Sequence, residues 1–145
     1  MARDDVIEDL YHQLSSLIRR SRELSNELHP GLSLIAHTFL NLVESTPHIQ
    51  ASDLVDLLGL DKSTVSRQLN QLFDEGLLDR EGGRPGRRGD PLSLTSKGRR
   101  VLAADANQVR SQVTQWLADW DSRSIADFAR SIERFNASVT QAVLA

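Results

Sequence analysis

Apolar positions in the first third of the chain recur at helical intervals. Val6, Ile7, Leu10, Tyr11, Leu14, Leu17, Ile18 and Leu24 are separated by charged residues, which predicts an amphipathic helix over about 4–27. His29-Pro30-Gly31 stops it, because proline removes a donor and glycine favours a turn. From about Leu32 to Val43 the chain is apolar on most sides, with Leu34, Ile35, Phe39, Leu40 and Val43, and reads as a central buried helix closed by Ser45-Thr46-Pro47. Two short helices follow. Asp53 to Leu58 places Leu54, Leu57 and Leu58 on one side, and Gly59 supplies a turn. Lys62 to about Glu75 places Val65, Leu69, Leu72 and Phe73 on one face, with Asp61, Ser63 or both as cap.

The pattern then shortens. Leu77 to Arg80 and Leu92 to Leu94 have strand length, and the ten residues from Gly82 to Pro91 hold four glycines and two prolines, so they form the tip of a β-hairpin. Thr95 is placed to cap another helix, which carries Val101, Leu102, Val109, Val113, Trp116 and Leu117. Asp121 reads as the cap of the last helix, with Trp120 and Ile125 at the positions of a hydrophobic staple. The class is mainly α with one small hairpin. The terminal helices, about 24 and 22 residues or roughly 33–36 Å long, overhang so small a domain and are expected to pack against a second copy of the chain.

Composition narrows the function. The chain has 145 residues, one domain's length, and no cysteine, which excludes disulfides, thiolate metal sites and thiol-based sensing. No apolar run reaches a membrane span and the acidic N-terminus lacks the form of a signal peptide, so the cytoplasm is the expected compartment. The net charge of −3 opposes a nucleic-acid partner until its distribution is read. Between Gly59 and Arg100 nine Lys/Arg face six Asp/Glu, whereas the remainder carries eight against fourteen. The acidity belongs to the other helices, and the middle of the chain is basic.

The helix beginning at Lys62 shows Ser63, Thr64, Ser66, Arg67 and Asn70 opposite its apolar face, with Gln68 and Gln71 toward one flank. Short hydroxyls, amides and a guanidinium suit base edges and phosphates in a major groove, where an ordinary solvated face would carry more Glu and Lys. Arg84, Arg87 and Arg88 on the hairpin tip can reach a minor groove. A winged-helix protein-interaction module is the rival reading. An enzyme finds no support: there is no nucleophile elbow and no phosphate-binding glycine loop, and the acidic pairs read as solvated helix faces. His12, His29, His37 and His48 show no metal-ligand spacing, so neither metal nor cofactor is expected. Trp116 and Trp120 read as core or interface aromatics.

Residues 54–69 (LVDLLGLDKSTVSRQL), Gly76-Leu77-Leu78-Asp79-Arg80 and Leu94-Thr95-Ser96-Lys97-Gly98 resemble the MarR type (multiple antibiotic resistance regulator) of bacterial transcription factors, and the order of elements fits over nearly the whole chain. The resemblance implies a winged helix-turn-helix over 32–95, flanked by dimerisation helices at 4–27 and 96–144. It implies a homodimer on a palindromic operator in double-stranded DNA. Ser63, Thr64 and Arg67 would face the major groove with Ser66 and Asn70 beside them, Lys62 would touch phosphate, and Arg88 would enter the minor groove. Family wings usually carry an aspartate two residues before that arginine, and here Gly86 stands there. The family commonly answers to a small aromatic effector, for which His37 and Arg110 are the candidate pocket residues. Repression is the expected outcome of occupying a promoter.

Overall fold

The computed structural model describes residues 2–81 and 89–144; the three wing arginines and Gly86 lie outside the described residues. Six helices and two strands follow one another as α1 (Arg3–Leu28), α2 (Leu34–Ser45), α3 (Ala51–Leu58), α4 (Lys62–Asp74), β1 (Leu78–Arg80), β2 (Leu92–Leu94), α5 (Ser96–Trp116) and α6 (Ser122–Leu144). The strands pair antiparallel with Leu78 opposite Leu94 and Arg80 opposite Leu92. The chain divides into two compact units, with the boundary after Arg110, inside α5.

The first unit holds the core. Phe39, Leu40 and Val43 of α2, Leu54 of α3, Val65, Leu69 and Leu72 of α4, the paired leucines of the hairpin and Leu102 of α5 are buried together. Ile49, ahead of α3, is buried with them, and its carbonyl accepts from the Leu92 N–H at 2.8 Å, which ties β2 to the start of the helix-turn-helix. Two expectations need correction. α2 is one-sided rather than buried all round, since Leu34 is 55% exposed. On α3 only Leu54 is buried, while Leu57 is 61% exposed, because an eight-residue helix resting on one neighbour can bury little more than one position per turn.

Termini are set locally. Gly59 takes a left-handed φ of 62° and turns α3 toward α4. α4 ends in a Schellman motif: the Leu77 N–H reaches the Leu72 carbonyl at 2.9 Å, the Gly76 N–H reaches the Phe73 carbonyl at 3.0 Å, and Gly76 has φ 71°. Thr95 caps α5 by accepting from the Gly98 N–H at 2.9 Å. The Thr95 hydroxyl also donates to the Gly76 carbonyl at 2.6 Å, and Lys97 Nζ donates to the Glu75 carbonyl at 2.8 Å. The end of α4 and the start of α5 are thereby joined.

In the second unit Asp121 caps α6, accepting from the Ser124 N–H at 2.7 Å. That bond holds the Asp121 carboxyl below its usual range. The Trp120 ring meets Phe128 edge-on, with centroids 5.6 Å apart. No residue of α1 is buried, and Phe128, Ile132, Phe135 and Val139 of α6 are all exposed.

Candidate nucleic-acid interface

Val65, Leu69 and Leu72 fasten α4 to the core and so fix which side faces outward. Ser63, Ser66, Arg67 and Asn70, spaced i, i+3, i+4 and i+7, form an exposed stripe opposite them. Thr64 is half-buried on the flank, and its hydroxyl accepts from the Arg67 guanidinium at 3.3 Å. Lys62 is exposed at the N-terminal end. Phe73, expected on the apolar face, is only partly buried, and the Arg80 guanidinium lies over its ring at 5.0 Å from the centroid.

Asp61 sets the start of α4. Its carboxylate accepts from the Ser63 hydroxyl at 2.6 Å and from the Thr64 N–H at 2.7 Å. The Ser63 bond, then those from Thr64, with a smaller attraction from Arg67, hold the carboxyl at about 2 against an ordinary 3.8. The folded value lies below the unfolded one, so this stabilisation is fully present above pH 3.8 and is lost as pH falls toward about 2. Asp61→Ala is therefore expected to lower Tm at neutral pH. The gap to the parent protein should close between pH 3.8 and about 2, and a pH-independent gap in thermal melts would show that the charge is not what holds the cap.

Arg80, read from the sequence as a strand residue and part of the Gly76–Arg80 motif, was not among the candidate DNA contacts. It stands on β1 beside a cavity of about 230 Å³ whose wall includes Lys62, Ser66 and Asn70, so the hairpin's root joins the polar end of α4. Its one sequence signal is the basic position next to the strand leucines, which does not reveal the neighbour.

Of the two candidate effector residues, Arg110 is exposed on α5 and His37 meets His29 and Asp105. Asp105, expected on a solvated helix face with the other acids, is buried. Spacing arguments miss this group because its members come from three separate segments.

An exposed polar stripe on the second helix of a tight helical pair, followed by a two-stranded hairpin, defines a winged helix-turn-helix protein. Residues 31–89 match the model of the MarR family. The uncharacterized HTH-type transcriptional regulator YxaD of Bacillus subtilis is 24% identical over 138 residues, 94% of this chain and 96% of that one. A MarR family protein from Bacillus stearothermophilus has the same fold at a TM-score of 0.81 and 14% identity, over 97% of this chain and 99% of the other. The Mycobacterium tuberculosis MarR family protein Rv2887, solved in complex with p-aminosalicylic acid, superimposes at a TM-score of 0.64 and 22% identity, over 84% and 96%. The chain is thus similar to MarR family regulators, over residues 31–89 in sequence and over nearly its whole length in fold. Among the described residues no helix is long and apolar enough to cross a membrane.

Proposed function

We propose that the protein is a homodimeric, sequence-specific repressor that acts in the cytoplasm and leaves its operator when a small aromatic effector binds. The α4 stripe carries the reading: four exposed groups suited to base edges are held outward by three buried aliphatic residues. Lys62 and Arg80 add positive charge beside it, and the phosphate backbone rewards such charge. Ser63, Thr64, Ser66, Arg67 and Asn70 enter the major groove, Lys62 meets phosphate, and Arg84, Arg87 and Arg88 reach the minor groove. Dimerisation is supported by the apolar faces that α1 and α6 leave open in the single chain, with Tyr11 67% and Ile18 70% exposed. Covering them with a twin chain places two reading helices on one palindrome.

For the effector, the support is the relative solved with p-aminosalicylic acid and a pocket of about 270 Å³ between the Pro30–Leu32 segment and α5. Neither His37 nor Arg110 forms the pocket's wall, and His37 meets it through Asp105, which does. An effector acts here by preferring a conformation whose reading helices do not match the operator, and it shifts the population by that preference alone.

Selection of bound fragments from genomic DNA followed by footprinting tests the reading. The expected result is a palindrome with half-sites one helical turn apart, roughly 34–36 Å. Binding without sequence preference would overturn it in favour of another use of the winged helix.

A further inference from the structure

Three titratable side chains converge away from the reading helix. His29 follows the last residue of α1, His37 stands in the first turn of α2, and Asp105 lies midway along α5. His29 Nδ1 is 2.9 and 2.8 Å from the two Asp105 carboxylate oxygens. His37 Nδ1 is 2.5 Å from Oδ2 of the same carboxylate. The two imidazoles lie with centroids 4.1 Å apart, and one ligand atom from each of the three residues falls within 4.8 Å of the others. The side chains of His29 and Asp105 are 6% and 5% exposed and that of His37 is 19% exposed.

Burying a carboxylate with two imidazoles is costly unless every polar atom is satisfied. His29 meets the carboxylate as a hydrogen-bond partner. His37 does not: its Nδ1 is buried and close to the carboxylate, yet makes no hydrogen bond. Its other nitrogen, Nε2, is held by the Asn41 side-chain amide at 2.7 Å. With that amide turned over, its carbonyl accepts Nε2–H and leaves the Nδ1 lone pair free, which is how an outer hydrogen bond orients a ligating histidine.

We propose that His29, His37 and Asp105 bind a divalent first-row transition ion of the zinc(II) type, through two imidazole nitrogens and one carboxylate oxygen, with water in the fourth position. Two imidazoles and a carboxylate select such an ion over magnesium or calcium, which take oxygen ligands. Bonds near 2.0–2.1 Å place tetrahedral ligands about 3.3 Å apart, so the nitrogen–oxygen contacts need to spread by only a few tenths of an ångström to just under 1 Å. The pocket walled by Pro30, Leu32, Val101 and Asp105 gives the ion a way in. A bound ion ties the end of α1 to α2 and α5, and α2 packs on β2 and α4. Its consequence for operator binding rests on the function proposed above; the ion site itself does not.

The test is calorimetric titration of the metal-free full chain with zinc chloride, without DNA. One ion per chain at submicromolar affinity is expected, and magnesium should give no heat. His29→Ala, His37→Ala and Asp105→Asn should each weaken zinc at least about 100-fold, while His12→Ala and His48→Ala, at exposed histidines outside the group, leave it unchanged. Circular dichroism checks that each variant folds. Should the buried substitutions unfold the chain, Asn41→Ala, at an exposed position, decides: a 10–100-fold loss is expected from removing an outer partner. Cobalt(II) as a probe should show the visible bands of a four-coordinate site in the parent and weakened bands in Asn41→Ala. No stoichiometric zinc in the parent protein, or an unchanged affinity in the folded variants, overturns the proposal.

Discussion

Gly98→Ala is expected to destabilise the protein by about 3 kcal/mol or more, at the top of the range for forcing atoms into a packed site. The sign is the opposite of what helix propensity alone gives, because alanine in a helix interior is worth up to about 1 kcal/mol over glycine. Gly98 sits in the first turn of α5, where a Cβ would stand 2.1 Å from the Leu77 carbonyl oxygen and 3.0 Å from its carbon. Both are backbone atoms, so no rotamer change relieves the overlap. That same oxygen accepts from the Thr95 N–H at 3.1 Å, and moving it breaks the link between hairpin and helix. Urea unfolding of the variant beside Gly31→Ala, where nothing lies within 4 Å of the added carbon, isolates the effect. Equal midpoints for the two variants would show that α5 does not rest on this carbonyl.

Arg67→Ala is the second large effect. A guanidinium on a groove-reading helix commonly contacts a base edge in two places, and losing one good pair costs about 1–3 kcal/mol, or roughly 5- to 150-fold in affinity. Arg67 is exposed in the middle of the α4 stripe, and its one recorded bond, to Thr64 at 3.3 Å, is weak enough to exchange for a base. The variant should fold normally, bind the footprinted operator more weakly and lose preference at one base position in each half-site. Lys62→Ala should behave differently, weakening all sequences alike and flattening the salt dependence of log K by about one unit. Binding curves at several salt concentrations, on operator and scrambled DNA, separate the two. Undiminished operator binding by Arg67→Ala would remove this residue from the interface.

What the sequence reveals follows from the range of the forces involved. α4 was legible in its bounds and in most of its apolar face because its determinants are local: a capping residue at Asp61 or Ser63 and aliphatic residues at fixed spacing. Asp121 and Thr95 declared their helices in the same way. Leu57 and Phe73 show where periodicity fails, since it reports which face a residue occupies but not whether a neighbour is wide enough to cover it. The group at His29, His37 and Asp105 was illegible for a stronger reason. Its members lie up to 76 positions apart, and only the packing of α5 beside the start of α2 makes them neighbours. α1 and α6 mark the opposite case, a periodicity visible in the sequence whose apolar residues stand largely exposed.

The fastening of α4 to α5 has a mechanical consequence. Lys97 and Thr95 hold the carbonyls of Glu75 and Gly76, just past the end of α4, and Gly98 lets α5 rest directly on that of Leu77. Three successive carbonyls are thus engaged by Thr95 and the first turn of α5, so a rotation of that turn has to carry the end of α4 with it. Under the function proposed above, control of DNA contact becomes an alignment problem, with α5 as the lever and α4 at its far end.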